Sequence, residues 1–263
     1  MTNLELVEVL RQNYIAYFQL FHGQHGIHVQ VDQKATWIIA NGPPGNHILR
    51  TNLPATGIDE RIDELLGTIS RRTGGIRWLL FPADRPLELR DRLTRRGLPT
   101  GRGDHWMFRS LDRLPKQPSS CRIRPVKDRV GLRAWWKASA LGFGTTQRAA
   151  QPWYDAYRRH SFGLNAYAIN YTGQVDQMTV TSATLVLAGG IAGIYDVSTT
   201  PRFRGRGYAK ALTIYLLEQA RQEGLSYAGL QTADAVQFYK QLGFETGYQE
   251  EEFFWAAGEP NEE

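Results

Sequence analysis

The stretch Asp196-Val197-Ser198-Thr199-Thr200-Pro201-Arg202-Phe203-Arg204-Gly205-Arg206-Gly207-Tyr208-Ala209 decides how this chain is read. A β-rich run from Ile191 to Thr199 ends in it. A basic, glycine-containing loop follows, and an apolar-periodic helix begins at once with Lys210-Ala211-Leu212-Thr213-Ile214-Tyr215-Leu216. Backbone N–H groups left free at a helix N-terminus, beside glycines that permit close approach, make an anion site. Arg202, Arg204 and Arg206 add positive charge, so the ligand expected there is phosphate or pyrophosphate. No Gly-x-x-x-x-Gly-Lys-Ser/Thr run exists in the chain, and Gly205-Arg206-Gly207-Tyr208-Ala209-Lys210 lacks the third glycine of a dinucleotide fingerprint. The bland alternative is an Arg-rich surface turn before an ordinary helix.

Downstream, Ser226-Tyr227-Ala228-Gly229-Leu230-Gln231-Thr232 reads as a short strand after a turn at Glu223-Gly224. Then comes Ala233-Asp234-Ala235-Val236-Gln237-Phe238-Tyr239-Lys240-Gln241-Leu242-Gly243-Phe244. This reads as a short helix that Gly243 ends in left-handed geometry, with Phe244 opening the next strand. Arg-x-x-Gly-x-Gly after a strand ending in Thr-x-Pro, followed by Phe-Tyr-x-x-x-Gly-Phe, resembles the two signatures of the GCN5-related N-acetyltransferases. Two signatures in the right order are far more specific than either alone. The resemblance implies a mixed-sheet α/β (α+β) fold, the acyl-CoA N-acyltransferase fold.

Composition fits that class. The 263 residues are 42% hydrophobic and 22% charged with seven Trp, an ordinary globular balance with length for two modest domains. One cysteine, Cys121, excludes an intramolecular disulfide and a cysteine-rich zinc site, and no metal is expected. There is neither an apolar run of roughly 18 residues nor a basic-then-apolar N-terminus, so a cytoplasmic protein without membrane contact is expected. The net charge of +5 is spread over both halves. Arg-rich stretches such as Arg90–Arg96 contain Asp91 and helix-spaced leucines, which fits a solvated helix face better than a nucleic-acid groove.

Two prolines and two serines in Leu114-Pro115-Lys116-Gln117-Pro118-Ser119-Ser120 interrupt all periodicity. The expected organisation is therefore an N-terminal α/β domain at 1–114, a linker at 115–120 and a catalytic domain at 121–263. In the latter, strands are expected at Arg122–Val126, Asn165–Tyr171, Met178–Leu187 and Ile191–Thr199. Helices are expected at Val130–Leu141 and Pro152–His160, and Thr172-Gly173 should form a turn. Glu259–Glu263 reads as a fraying acidic tail. In the first half, Leu4, Val7, Leu10, Tyr14, Tyr17, Phe18 and Phe21 fall at helical spacing. Strands follow at His28–Val31, Thr36–Ala40 and His47–Thr51, a helix at Asp59–Thr73, a strand at Ile76–Phe81, a helix at Pro86–Arg96 and a strand through Trp106-Met107-Phe108. Gly97 then stands opposite Gly243 and Leu93 opposite Tyr239. Thr51–Gly57 takes the place of the phosphate loop without its arginines or Gly-x-Gly. The halves thus read as a tandem pair of acetyltransferase-like domains with a degenerate first copy, against an unrelated α+β cap.

The resemblance implies acetyl-CoA as co-substrate. By position, the backbone amides of Val197, Ser198 and Thr199 would meet the pantetheine arm on a splayed strand pair. The loop amides of Arg204, Gly205, Arg206, Gly207, Tyr208 and Ala209 would hold the pyrophosphate. Phe238 belongs to the same cofactor set, and Tyr239 matches the family's usual acid, a phenol aimed at the CoA sulfur. Asp234 stands where the family often has Asn; a carboxylate there would be repelled by pyrophosphate. Asp196 fits a general base or a residue that merely lines the cleft. An acceptor pocket would draw on Trp135, Trp136, Trp153 and Tyr154. The function implied is direct acetyl transfer to an amine of a small molecule or peptide, since no Cys or Ser sits in a nucleophile motif. A non-catalytic acyl-CoA-binding sensor or scaffold is the competing class. Monomer and homodimer both stay open.

Overall fold

The computed structural model describes residues 1–118, 121–163 and 166–257. Ser119 and Ser120 of the expected linker, Asn165 and the acidic tail Glu259–Glu263 lie outside the described residues. The chain folds as two compact units, and their borders fall at 21/22, 104/105 and 248/249. The division expected from the sequence lay at 115–120. The first helix and part of Thr100–Ser110 pack with the C-terminal half, and most of the last strand packs with the N-terminal half.

The smaller unit, 22–104 with 249–257, holds strands β1 (His28–Val31), β2 (Ala35–Ile39), β3 (His47–Thr51) and β4 (Gly75–Leu80), and helices α2 (Ile58–Ser70) and α3 (Leu89–Arg95). Helix α2 buries Ile58, Ile62, Leu66 and Ile69, a stripe with helical period, in a core that includes Trp78 and Phe253. Arg92 and Arg96 of the α3 turn pair with Asp59 at 2.9 and 3.2 Å and so bind α3 to α2. His47 sits on β3 with Nε2 3.3 Å from the Pro44 carbonyl. Burial first, and then the nearby Arg77 charge, bring its pKa down to about 4.

The larger unit, 1–21 with 105–248, begins with α1 (Asn3–Gln19), which a Thr2–Glu5 capping box starts. It continues with β5 (Thr100–Ser110), whose residues from His105 on belong here, β6 (Arg122–Pro125), α4 (Arg129–Gly142) and α5 (Gln151–His160). Then come β7 (Ala168–Val175), β8 (Met178–Ala188), β9 (Ile191–Thr199), α6 (Tyr208–Gln222), β10 (Tyr227–Thr232), α7 (Val236–Lys240) and β11 (Glu245–Ala256), whose residues from Gln249 on belong to the smaller unit. Strand β7 runs on through Thr172 and Gly173, where a turn was expected. Asp176 and Gln177 make the turn instead, both at positive φ.

Pairing explains the unexpected borders. Both halves run strand, loop, helix, strand, helix, strand: β3 to β5, and β9 to β11. Yet Ser110–His105 of β5 pair antiparallel with Tyr227–Thr232 of β10, whereas Glu251–Ala256 of β11 pair antiparallel with Leu80–Gly75 of β4. Each half gives its last strand to the unit built around the other. Phe253, Phe254 and Trp255 thus pair with Trp78, Arg77 and Ile76 of β4.

Helix α1 holds the larger unit from the opposite end of the sequence. The buried Asn13 amide donates to the carbonyls of Val186, Ala188 and Ile191 at 2.9 to 3.0 Å, and its oxygen accepts from the Tyr195 hydroxyl at 2.8 Å. The helix comes this close because Gly193 and Gly229 present no side chain: a Cβ at either would collide with Asn13 or Leu10.

Two expectations follow. A 115–263 fragment strips β10 of its partner along six residues and leaves the Asn13 acceptors without their donor. It should aggregate and show no cooperative thermal transition; a soluble fragment with a sharp transition would contradict the strand exchange. For His47 the folded pKa lies below the unfolded value of about 6.5, so its contribution is complete above that pH and is lost as pH falls toward 4. Urea unfolding should show about 2 kcal/mol less stability at pH 5 than at pH 7 from this group, and His47→Gln should flatten that slope.

Candidate active site

Strands β9 and β10 pair in parallel only at Ala192↔Ala228 and Gly193↔Gly229. Beyond those residues β9 runs on to Thr199 with its β10 side unpaired, while β10 stays with β5 for its full length. On the other side, the β8–β9 register shifts between Ser182 and Thr184, and Asp196 takes a left-handed φ of 54° at that bulge. A non-glycine residue in that region is a local strain that the surrounding packing must hold. Val197, Ser198 and Thr199, three sequence-predicted positions, follow directly.

After Thr200 a single 3-10 turn, Pro201–Phe203, leads into the loop. Gly205 and Gly207 adopt φ of 74° and 80°, and Gly207 opens α6 with no side-chain cap. The N–H groups of the first turn therefore have no partner within the helix and point at the loop, with no acidic side chain in that turn. No atom stands within 4 Å of a Cβ built on either glycine, so an incoming group can reach the backbone. The Arg204 side chain also fastens the loop. Its guanidinium donates to the carbonyls of Thr199 at 3.2 Å and Gly142 at 2.6 Å, tying the loop to the end of β9 and the end of α4. Arg206 lies over the Phe203 ring at 5.5 Å, and Arg202 is exposed.

A cavity of about 500 Å³ opens at this point. Val197, Ser198 and Thr199 line it along the strand, and Arg204, Gly205, Gly207, Tyr208 and Ala209 along the loop and helix start. Phe238 and Tyr239 close it from α7. Phe203, Lys210, Ala235 and Gln241 line it too, and the sequence reading missed all four in that role. Lys210 had a signal: it follows the loop by one residue and is exposed. Of the sequence-predicted positions, Arg206, Asp234 and Asp196 are not among the lining residues. Asp234 is exposed ahead of α7. Tyr239 packs edge-on against Phe238 and Phe244. Burial raises its pKa, so the phenol stays protonated at neutral pH, and no described residue takes up its hydroxyl.

Asp196 anchors a separate cluster. Its carboxylate accepts from the hydroxyls of Tyr17 at 3.0 Å, Thr184 at 3.1 Å and Tyr157. Burial pushes its pKa above the usual carboxylate range, against the pull of these three donors. Sequence reasoning placed Tyr17 only in a helix stripe and did not single out Tyr157 or Thr184. Trp135 proves to be core, buried and donating to the Ala183 carbonyl at 3.0 Å, rather than pocket wall. Trp136 and Tyr154 pack ring against ring at 5.1 Å, and Trp153 meets Tyr17.

The smaller unit repeats the geometry with the opening filled. Strands β3 and β4 also pair in parallel at only two positions, His47↔Arg77 and Ile48↔Trp78. There the Asp84 carboxylate accepts the Thr51 and Phe81 N–H groups at 2.9 and 2.8 Å, and the Trp78 indole donates to the Thr51 hydroxyl. Gly57 opens α2 as Gly207 opens α6, but Asp59 and Glu60 occupy the first turn, where they would repel an anion.

Known proteins share this architecture. The family model "Acetyltransferase (GNAT) family" matches residues 135–244. A GCN5-related N-acetyltransferase from Kribbella flavida superposes with a TM-score of 0.64 at 16% identity, covering 95% of this chain and 96% of that one. A tandem GNAT protein from the clavulanic acid biosynthesis pathway gives 0.65 at 11% identity, with 99% and 98% covered. An uncharacterised N-acetyltransferase of Methanocaldococcus jannaschii is 37% identical over 59 residues, which is 21% of this chain and 26% of that relative.

Gly207→Glu would set a negative charge against the uncapped amides. It should weaken acetyl-CoA binding on the order of 10- to 100-fold by calorimetry, with the melting temperature lowered only by as much as the roughly 1–2 kcal/mol that a side chain costs at this left-handed φ; unchanged affinity would move the anion site elsewhere. The strand that parts from its neighbour, the uncapped glycine loop and the family match together place within this chain, at residues 135–244, a domain of the GCN5-related N-acetyltransferase (GNAT) family.

Proposed function

We propose that the chain transfers an acetyl group from acetyl-CoA to a primary amine by direct attack. The carrying observation is that one cavity gathers the free side of β9, the uncapped start of α6 and Tyr239. The residues suit the co-substrate. The α6 amides and their glycines accept a pyrophosphate, helped by the Lys210 charge, and the unpaired β9 amides can bond a pantetheine arm as an added strand would.

The chemistry needs few parts. An ammonium must lose one proton before its nitrogen lone pair can attack the thioester carbonyl carbon. Asp196, the titratable carboxylate on the cofactor strand, is the proposed acceptor, and its raised pKa suits it to hold that proton. As the tetrahedral intermediate collapses, the C–S bond breaks and the thiolate takes a proton from Tyr239. The nitrogen gives up its second proton as the amide forms, which balances the one delivered to sulfur. A phenol that burial keeps protonated is a donor at every working pH.

Tyr239→Phe removes one hydroxyl and little volume. The expected result is a kcat lower on the order of 10²- to 10⁴-fold, the usual size of general acid catalysis, with acetyl-CoA affinity unchanged. Thiol-release kinetics with a primary-amine panel measure the first and calorimetry the second. An unaltered rate across the pH range would return Tyr239 to a packing role.

A further inference from the structure

The hydroxyls gathered on Asp196 are more numerous than a proton acceptor alone requires. Oδ1 accepts one hydrogen bond, from Tyr17, while Oδ2 accepts two, from Tyr157 and Thr184. A carboxylate offers roughly four lone-pair sites, so one is left, on Oδ1 beside the Tyr17 hydroxyl. Tyr17 is itself fixed. It accepts from the Trp153 indole N–H at 2.5 Å, which commits its own proton to Asp196, and its ring stacks on Tyr195 with centroids 4.4 Å apart. Asp196 and Trp153 are both half-buried as residues. Among the described residues, no cation is one of the groups that act on Asp196.

We propose that Tyr17, carried by the helix at the start of the chain, is the positioning residue that fixes Asp196 and reserves its last lone pair for the ammonium of the acceptor amine. The Trp153 indole N–H holds the Tyr17 hydroxyl next to that seat. The acceptor class is then an alkylammonium, charged in solution, which gives one proton to Oδ1 as its nitrogen is freed. This inference rests on the acyl-transfer reading and names the group that orients its acceptor.

The groups that face Asp196 are the phenols of Tyr17 from α1 and Tyr157 from α5, the Thr184 hydroxyl from β8, and Tyr195 on its own strand. The Tyr17 hydrogen bond favours the charged carboxylate, so losing it should let Asp196 keep its proton to higher pH. The test is a carboxyl carbon-13 titration of Asp196 in the full chain, in wild type and Tyr17→Phe, with and without n-butylammonium chloride. In the variant the midpoint should rise by about one pH unit, the usual worth of one hydrogen bond to a charged group. n-Butylammonium should lower the midpoint in wild type and do so less in the variant. Acetyl-CoA affinity should match in both proteins. If Tyr17→Phe fails to fold, Trp153→Phe, which removes the N–H that polarises the Tyr17 hydroxyl, should move the midpoint the same way by less. Equal midpoints, or a midpoint indifferent to n-butylammonium in wild type, would overturn the proposal. So would a Tyr17→Phe protein that loses acetyl-CoA affinity, because Tyr17 would then support the fold at large. Wild type that binds no acetyl-CoA would strike the acyl-transfer reading alone, since the Asp196 titration is read without co-substrate.

Discussion

The site depends on where one strand ladder stops. Strands β9 and β10 share two register positions and then part. Everything with chemical potential in the larger unit lies past that point: the unpaired face of Val197–Thr199, the glycine loop, the start of α6 and Tyr239 from α7. An open parallel pair inside a sheet costs backbone hydrogen bonds, each worth roughly 1 kcal/mol net, and leaves polar groups in want of a partner. Surrounding structure must hold the strands in place. Asn13 gathers the carbonyls at the β8–β9 turn, Leu10 lies over Gly229, and Arg204 fastens the far end of β9 to α4. The left-handed φ of Asp196 and the bulge opposite it turn the strand between these fixed points.

The smaller unit shows the same parting answered differently. Asp84 brings a carboxylate into the gap and takes the N–H groups of Thr51 and Phe81, so the backbone there is satisfied by the chain itself. One architecture thus serves once as an open site and once as a closed structural element. The exchange of last strands makes the halves dependent on one another: β10 needs β5, and β4 needs the end of β11. Duplication alone does not require this, because each half contains a complete run from strand to final strand.

Much of this was legible in the sequence, for reasons that differ from element to element. The phosphate-type loop could be read because its parts are contiguous; glycines, arginines and a helix start within ten residues state their geometry locally. The α7 segment with Phe238, Tyr239 and Gly243 is equally local. Strand positions were legible, but strand partners were not. Alternation along Trp106–Phe108 or Phe253–Trp255 tells which side chains go inward and says nothing about which edge the strand will meet. The apolar stripe of α1 announced a buried face, yet its destination depended on glycines 180 and more residues away in the sequence. The cluster on Asp196 escaped for the same reason, since Tyr17 and Asp196 are separated by 179 positions and no motif joins them. The two carbonyls that the Arg204 side chain bonds were not legible, because charge in a loop announces an anion as readily as it announces a carbonyl in need of a donor.

On the proposed function this chain carries one acyl-CoA site, in its larger unit, and one closed copy. Calorimetric titration of the full chain with acetyl-CoA tests that most directly. One molecule bound per chain is the predicted result. Two per chain would show that Asp84 and the acidic start of α2 do not close the smaller unit, and no binding at all would contradict the assignment of the glycine loop.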